Sequence, residues 1–248
     1  MKRTTIQRAG FTLGAVISAV GLSVIPASAL AQAKATTAGS STTAADQAKV
    51  KLIINRGNSE IARRLTTLNA LSAKVSSATK LSSADQATLS GEISTEIDGL
   101  NSLKTKLDAD TTVSDAKTDA QAIIDGYRVY ALIVPKVSLV KTADDQQVAE
   151  GKLSTLSVKL QTRISAAQTA GKNVTSLQTE LTSLNSKVSA AQAISSNIES
   201  AVVNLQPSDY NSNHSVLSGD RDQLKTAQSD IQGALSTATT IITNLKNL

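Results

Sequence analysis

The sequence predicts an all-α fold: an elongated antiparallel bundle of about six long helices with coiled-coil-like seams. Three observations predict it. Apolar residues recur with a period near 3.6 from about residue 49 to the C-terminus, capping and turn residues cluster between the periodic stretches, and only three prolines interrupt 248 residues. With no Cys or Trp and one Phe, the core must be built from Leu, Ile, Val and Ala.

The N-terminal stretch carries basic residues, then an apolar run, then small residues. Lys2, Arg3 and Arg8 precede an uncharged segment from Ala9 to Ile25, and Pro26 leads into Ala29-Leu30-Ala31. This is the tripartite pattern of a secretory signal peptide over residues 1–31, with cleavage before Gln32. An uncleaved anchor is the other reading, although about 17 residues broken by Gly10, Gly14 and Gly21 sit near the lower limit for spanning a bilayer. Residues 32–47 are Ala, Thr, Ser and Gly with scarcely a large apolar side chain, which predicts a flexible linker. The remainder, 48–248, is the bundle domain.

The first helix is predicted over about Lys49 to Thr79, with Ile54, Ile61, Leu65, Leu68, Leu71 and Val75 on one stripe and Gly57 as a weak point. Glu60 and Arg64 stand four apart in the favourable order for an ion pair. Ser83 to Gln86 has capping-box spacing and opens a second helix to about Leu107, striped by Leu89, Ile93, Ile97, Leu100, Leu103 and Leu107. A short connection makes the two antiparallel neighbours.

Ser114 is the expected cap of a third helix carrying Ala116, Ala120, Ile123, Ile124, Tyr127, Tyr130 and Val134. Pro135 removes a donor and pushes Val134 out of helical geometry. The chain therefore either kinks there or, the favoured reading, breaks and restarts at Thr142 with Asp144 and Asp145 in the first turn. Val148, Leu153, Leu156, Leu160 and Ile164 mark the fourth helix, ending near Gly171.

A box from Thr175 to Gln178 opens the fifth helix. Its seam is Leu177, Leu181, Leu184, Val188, Ala191, Ser195, Ile198, Val202 and Leu205, a heptad in alternating steps of four and three. The Pro207 to Asn213 run breaks it. A last helix follows from about Ser215 to Leu245, with Leu217, Leu224, Ile231, Leu235, Ala238, Ile242 and Leu245 in heptad spacing. Arg64-Leu65-Thr66-Thr67-Leu68 is similar to Lys152-Leu153-Ser154-Thr155-Leu156, and Leu89 with Ile93 falls opposite Leu177 with Leu181, 88 residues apart. If the halves (about 48–134 and 142–246) repeat, the bundle is two three-helix units.

Composition excludes much chemistry. Without Cys there is no disulfide, thiolate nucleophile or iron-sulfur cluster, and one His cannot supply a multi-histidine metal centre. The signal accounts for three of the 25 basic residues, leaving 22 against 20 acids, so the mature chain has no electrostatic case for nucleic acid. No catalytic, cofactor-binding or metal-ligating residue is assigned. His214 is most simply a turn residue or cap, and a hydrolase built around it ranks last. The acid sets Glu92 with Glu96, Asp144 with Asp145, and Asp220 with Asp222 read as structural. Asn173-Val174-Thr175 matches a glycosylation acceptor but serves more simply as loop and cap.

Val129 to Val140 departs from the amphipathic norm, being apolar on all sides and interrupted by Lys136. A membrane-touching tongue is one reading and a buried central segment the favoured one, since 12 residues are too few to span as helix. Arg63, Arg64, Tyr127, Arg128, Tyr130 and His214 are the candidate interaction surface, for a protein or an envelope polymer.

The segments Arg63-Arg64-Leu65, Leu68-Asn69-Ala70-Leu71, Tyr127-Arg128-Val129-Tyr130 through Lys136, and Asn213-His214-Ser215 resemble a group of uncharacterised exported helical proteins of bacteria. The resemblance covers most of the mature chain and implies no catalytic role. The resulting expectation is an exported, non-enzymatic helical protein of the cell envelope or extracellular space that acts by structural or protein–protein contact. It needs no cofactor, and self-association is open to it. A secreted membrane-active protein using Val129 to Val140 is the alternative.

Overall fold

The computed structural model describes residues 43–248; the signal-peptide pattern of residues 1–31 and most of the linker, residues 32–42, lie outside the described residues. What is described is a helical bundle without strands, as the periodicity predicts: α1 (Ala44–Ser76), α2 (Ser83–Asp108), α3 (Val113–Asp125), a π-helical turn (Val129–Ile133), α4 (Val134–Thr169), α5 (Thr175–Val202), a short α6 (Pro207–Ser212) and α7 (Asp220–Lys246).

The first three helices start at side-chain caps, those of α2 and α3 one or two residues before the expected ones. Thr43 caps α1 by accepting from the Asp46 N–H, so the helix begins at Ala44 and takes in the last residues assigned to the linker. Ser82, not Ser83, caps α2, and Thr112, not Ser114, caps α3, each accepting from an Asp N–H at the third helical position. Gln86 instead donates to the carbonyls of Val75 and Ser76, closing the C-terminus of the preceding helix. The Thr175 box does not form: Asn173 Oδ1 accepts the Thr175 N–H, and Gln178 reaches Gln168.

The break before α4 differs most from expectation. The chain turns at Gly126–Arg128, not at Thr142, and Pro135 lies in the first turn of a continuous helix that runs through Thr142 to Thr169. Pro135 does not push Val134 out of helical geometry: Val134 keeps φ −64, ψ −49 and its N–H bonds Val129 O in the π-helical turn that runs directly into α4, so the proline sits where the hydrogen-bond pattern changes from π to α. α4 ends as the glycine predicted. Gly171 takes φ +79, with its N–H on Gln168 O and the Lys172 N–H on Ala167 O, the paired bonds of a Schellman motif. Gly57 is not a weak point but a close approach: a Cβ there would lie 2.5 Å from Leu107 Cδ2 and 3.3 Å from Ile123 Cδ1, so its absence lets α1 pack onto α2 and α3.

Packing forms two three-helix groups, α1–α2–α3 and α4–α5–α7. Eight of the nine expected seam residues of α5, Leu177 through Val202, are buried and Leu205 is half-buried. α7 begins at Asp220 rather than Ser215, and its buried face carries Ala227, Ala234 and Ile241 while Leu235 is 55% exposed. In α1 and α2 the stripe likewise shifts, with Arg64 and Glu96 buried where Leu65 and Ile97 are only partly so. Val148, assigned to the α4 stripe, is exposed.

The core has two parts. One joins α1–α3 to the start of α4 (Val137, Val140, Ala143) and to Ile198, Val202 and Leu224. The other lies among α4 from Leu153, α5 from Leu177 to Ala191, and α7 from Ala227. α4 thus belongs to both, and the π-helical turn with the first turns of α4 supplies Leu132, Ile133, Val137, Leu139 and Val140, the buried segment around which the first core closes.

Candidate functional site

The turn between α3 and α4 gathers most of the sequence-predicted surface residues. Arg128 sits at φ 41, ψ 33, the one non-glycine residue of positive φ among the described residues. That left-handed conformation costs a residue with a side chain about 1–2 kcal/mol. Two contacts hold it: the guanidinium donates to Asp125 Oδ1 at 2.7 Å and to Asn211 Oδ1 at 2.5 Å, while Asn211 Nδ2 donates to the Asp125 carbonyl. Arg128 also lies over the Tyr210 ring, 5.6 Å from its centroid, and His214 tilts against the other contact of that ring at 5.1 Å. α6 is thereby docked onto the turn.

The π-helical turn then presents Tyr130, 49% exposed, outward. Arg64 of α1 stacks on its ring at 5.2 Å, and Glu60 accepts from Arg64 at 2.7 Å and lies 3.2 Å from Arg63. Arg63 is exposed, whereas Arg64 is buried. Tyr127 turns inward instead: its ring lies against Gly99 of α2, leaving no room for a Cβ there, and burial together with the nearby Glu96 charge pushes its hydroxyl pKa up. Of the six predicted residues, Arg63, Arg128, Tyr130 and His214 are at least partly exposed around this turn, whereas Arg64 is buried beneath the Tyr130 ring and Tyr127 faces inward. Tyr210, Asn211 and Asp125 complete the cluster; only the turn composition around Pro207 hinted at them.

His214 is exposed, and its ring contact is aromatic rather than a hydroxyl or carboxylate, so nothing here orients a nucleophile. Among the described residues no group of three His, Asp or Glu is arranged to hold a metal ion. A groove of about 390 Å³ lies between the first turns of α4 and the start of α7, lined by Pro135, Leu139, Leu217, Leu224, Arg221 and Lys225.

Beneath the turn lies a buried ionic group. Lys136 is fully buried; its Nζ is paired with both carboxylate oxygens of Glu92 and donates to the Leu205 carbonyl at 2.6 Å. Glu96, one helical turn beyond Glu92, is 7% exposed with Oε2 unpartnered. Burial, reinforced by the Glu92 charge, raises the Glu96 pKa to about 7, and burial raises that of Glu92 against the pull of Lys136. A lysine inside an all-round apolar run demands an acid, and Glu96 falls three after Ile93 and four before Leu100, on the buried stripe of α2. Those two signals in the sequence point to this group.

A second set of acids stands nearby on the α2 start. Asp144 accepts the Ser82 N–H at 2.6 Å, and burial pushes its carboxyl and that of Glu199 upward. Further along α4, Glu150 is 1% exposed and is bound through both oxygens by the Ser195 hydroxyl, with burial again raising its pKa. Thus Glu92, Glu96 and Asp144 lie inside the fold. The Asp222–Lys225 pair of the third acid set is instead solvated.

No protein-family model matches the chain, and no curated protein or solved structure matches it.

Proposed function

We propose that the chain is an exported, non-enzymatic helical protein of the cell envelope or extracellular space, working by contact with a protein or envelope-polymer partner through the surface around the α3–α4 turn. One observation carries the contact face: a strained, non-glycine Arg128 is held by Asp125 and Asn211 beside an outward Tyr130 stacked on Arg64. Strain retained outside a core marks a position whose geometry is worth keeping, and aromatic and arginine anchors dominate binding surfaces. Export rests on the N-terminal charge, apolar run and Ala29-Leu30-Ala31, in keeping with the resemblance to exported helical proteins.

The α5 seam is buried within the chain itself, so a second copy would have to use another surface, and self-association is not needed to satisfy it. Membrane action through Val129 to Val140 is the weaker reading. Val129, Leu132, Ile133, Val137 and Val140 are all buried, and among the described residues no helix is long and apolar enough to cross a membrane.

Fractionation of the source organism with a photo-crosslinker at residue 130 tests the reading. The expected result is a mature-length chain outside the cytosol, crosslinked to a discrete partner, with the adduct lost in Arg64→Ala. A full-length cytosolic chain overturns export; an unchanged adduct in Arg64→Ala overturns the contact face.

A further inference from the structure

The groove between α4 and α7 is built by one stripe from each helix. Pro135, Leu139 and Gln146 recur at helical spacing along α4, and Arg221, Leu224 and Lys225 along α7. Leu217, just ahead of α7, adds another apolar side chain to the lining. The Val129–Val140 segment is apolar on all sides because two surfaces use it: Val137 and Val140 close the first core, and Pro135 and Leu139 line the groove.

Charge and hydrogen bonding narrow what fits there. Of the ten residues that line the groove, only Arg221 and Lys225 are charged and both are basic, so no carboxylate stands in the lining to repel an anion. Lys225 pairs with Asp222 at 2.8 Å, but both side chains of that pair are open to water and such a pair holds weakly. Arg221, whose planar fork suits a carboxylate or a phosphate, is the firmer contact. Gln146 is 4% exposed; its Nε2 donates to the Leu224 carbonyl at 2.8 Å and ties α4 to α7, while its Oε1 has no partner. The bond between the two stripes fixes their separation, and an unsatisfied buried acceptor is the kind of group that a bound polar molecule or water completes. A volume of about 390 Å³ lies at the lower end of small-molecule sites and, at about 30 Å³ per water-sized group, holds about a dozen non-hydrogen atoms.

We propose that this groove binds a single-chain anionic amphiphile, with an alkyl chain of about ten carbons against Pro135, Leu139, Leu217 and Leu224 and its carboxylate or phosphate head on Arg221 and Lys225. The chain supplies the driving force by leaving water, which has no directional demand. The guanidinium supplies the choice of charge, through charge-assisted hydrogen bonds to the head. The site shares no residue with the contact face around the α3–α4 turn and goes beyond that contact.

Isothermal titration of the chain purified from its source, with decanoate and with decyl phosphate below their micelle-forming concentrations, tests the site. The expected result is saturable one-to-one binding of at least one of these anions and none of decyltrimethylammonium, which carries the same alkyl chain and the opposite charge. A preference for decanoate identifies a fatty-acid source and a preference for decyl phosphate a phospholipid-derived one; either supports the shared chemistry. Arg221→Glu should weaken binding at least about tenfold. Ser138→Phe, which puts a large side chain into the lining from an exposed helical position, should abolish it, with circular dichroism verifying the fold of both variants. No saturable binding of either anion overturns the proposal. Equal binding of decyltrimethylammonium, or binding that survives in a folded Ser138→Phe, overturns it as well.

Discussion

The two cores of this bundle are held by different physics. The core among the later parts of α4, α5 and α7 is a seam of Leu, Val, Ile and Ala at heptad positions. The core that closes around the start of α4 is equally apolar in bulk, yet encloses Lys136, Glu92, Glu96, Asp144 and Asp119. An apolar seam is stabilising and undirected; sliding by a heptad exchanges one leucine for another. A buried charge has one acceptable partner, so the ionic group pins α2, α4 and the α5–α6 connection in one register at a cost in desolvation. The strained Arg128 turn sits over the second kind of core, where geometry is most strongly prescribed.

Removing one charge should break the comparison most sharply. Lys136→Ala leaves two buried acids without their cation and should destabilise by about 3–5 kcal/mol, measured by urea unfolding. Lys136→Met combined with Glu92→Leu should recover much of that loss, because a buried pair replaced by apolar side chains of similar volume is often neutral. An additive double variant would mean that the pair is not acting as a unit. In the apolar core, Leu184→Ala opens a cavity at an unexposed position and should cost about 3 kcal/mol. No single partner change should rescue it.

The next effect separates the cores by pH. Glu96 holds its proton more tightly folded than unfolded, with a pKa raised from 4.5 to about 7. The stabilisation is therefore full below the unfolded value and is lost as pH rises through about 7. Glu92, Asp144, Glu150 and Glu199 are shifted the same way by burial and add to it. Thermal unfolding should show a lower Tm at about pH 8.5 than at about pH 5, and Glu96→Gln should flatten the difference. A Tm that rises over that interval would contradict the direction assigned to these acids. The smallest effect is local: Ser82→Ala removes the α2 cap and should cost about 1 kcal/mol by urea unfolding, with little pH dependence of its own.

Legibility in the sequence followed the same division. The α5 seam was readable residue by residue, because an apolar heptad in water has only one way to be satisfied and Leu177 through Val202 all obey it. α7 was half readable in phase: Leu224, Ile231 and Ala238 are buried as expected, whereas Ala234 and Ile241 take the places given to Leu235 and Ile242. With Ala227 and Ala234 as small as any surface alanine, composition does not say which side of Leu235 faces inward. Ser82 against Ser83, and Thr112 against Ser114, could not be separated, since adjacent hydroxyls compete for the same N–H groups. At Pro135 the local rule did not hold: Val134 stays helical because the π-helical turn ahead of it changes the hydrogen-bond pattern at the proline. That Tyr130 and Arg64 meet, and that Arg128 meets Asp125 and Asn211, depends on long-range packing around the Tyr127–Tyr130 segment. That Tyr127 points inward to Gly99 while Tyr130 points outward followed only from the π-helical turn, which rotates the face by an amount no periodicity predicts.

By itself, the sequence determined that this protein is a helical bundle with an apolar α5 seam, and it set a composition in which no thiol and a single imidazole take part. Period and composition are local properties, and hydrophobic burial acts on them without reference to distant partners. Tertiary structure alone decided that Gly57 is a contact, that Arg128 is strained, and that Lys136 meets Glu92 from 44 residues away. Each depends on which long-range neighbour arrives, and a buried charge or a missing Cβ acquires its meaning only from that neighbour.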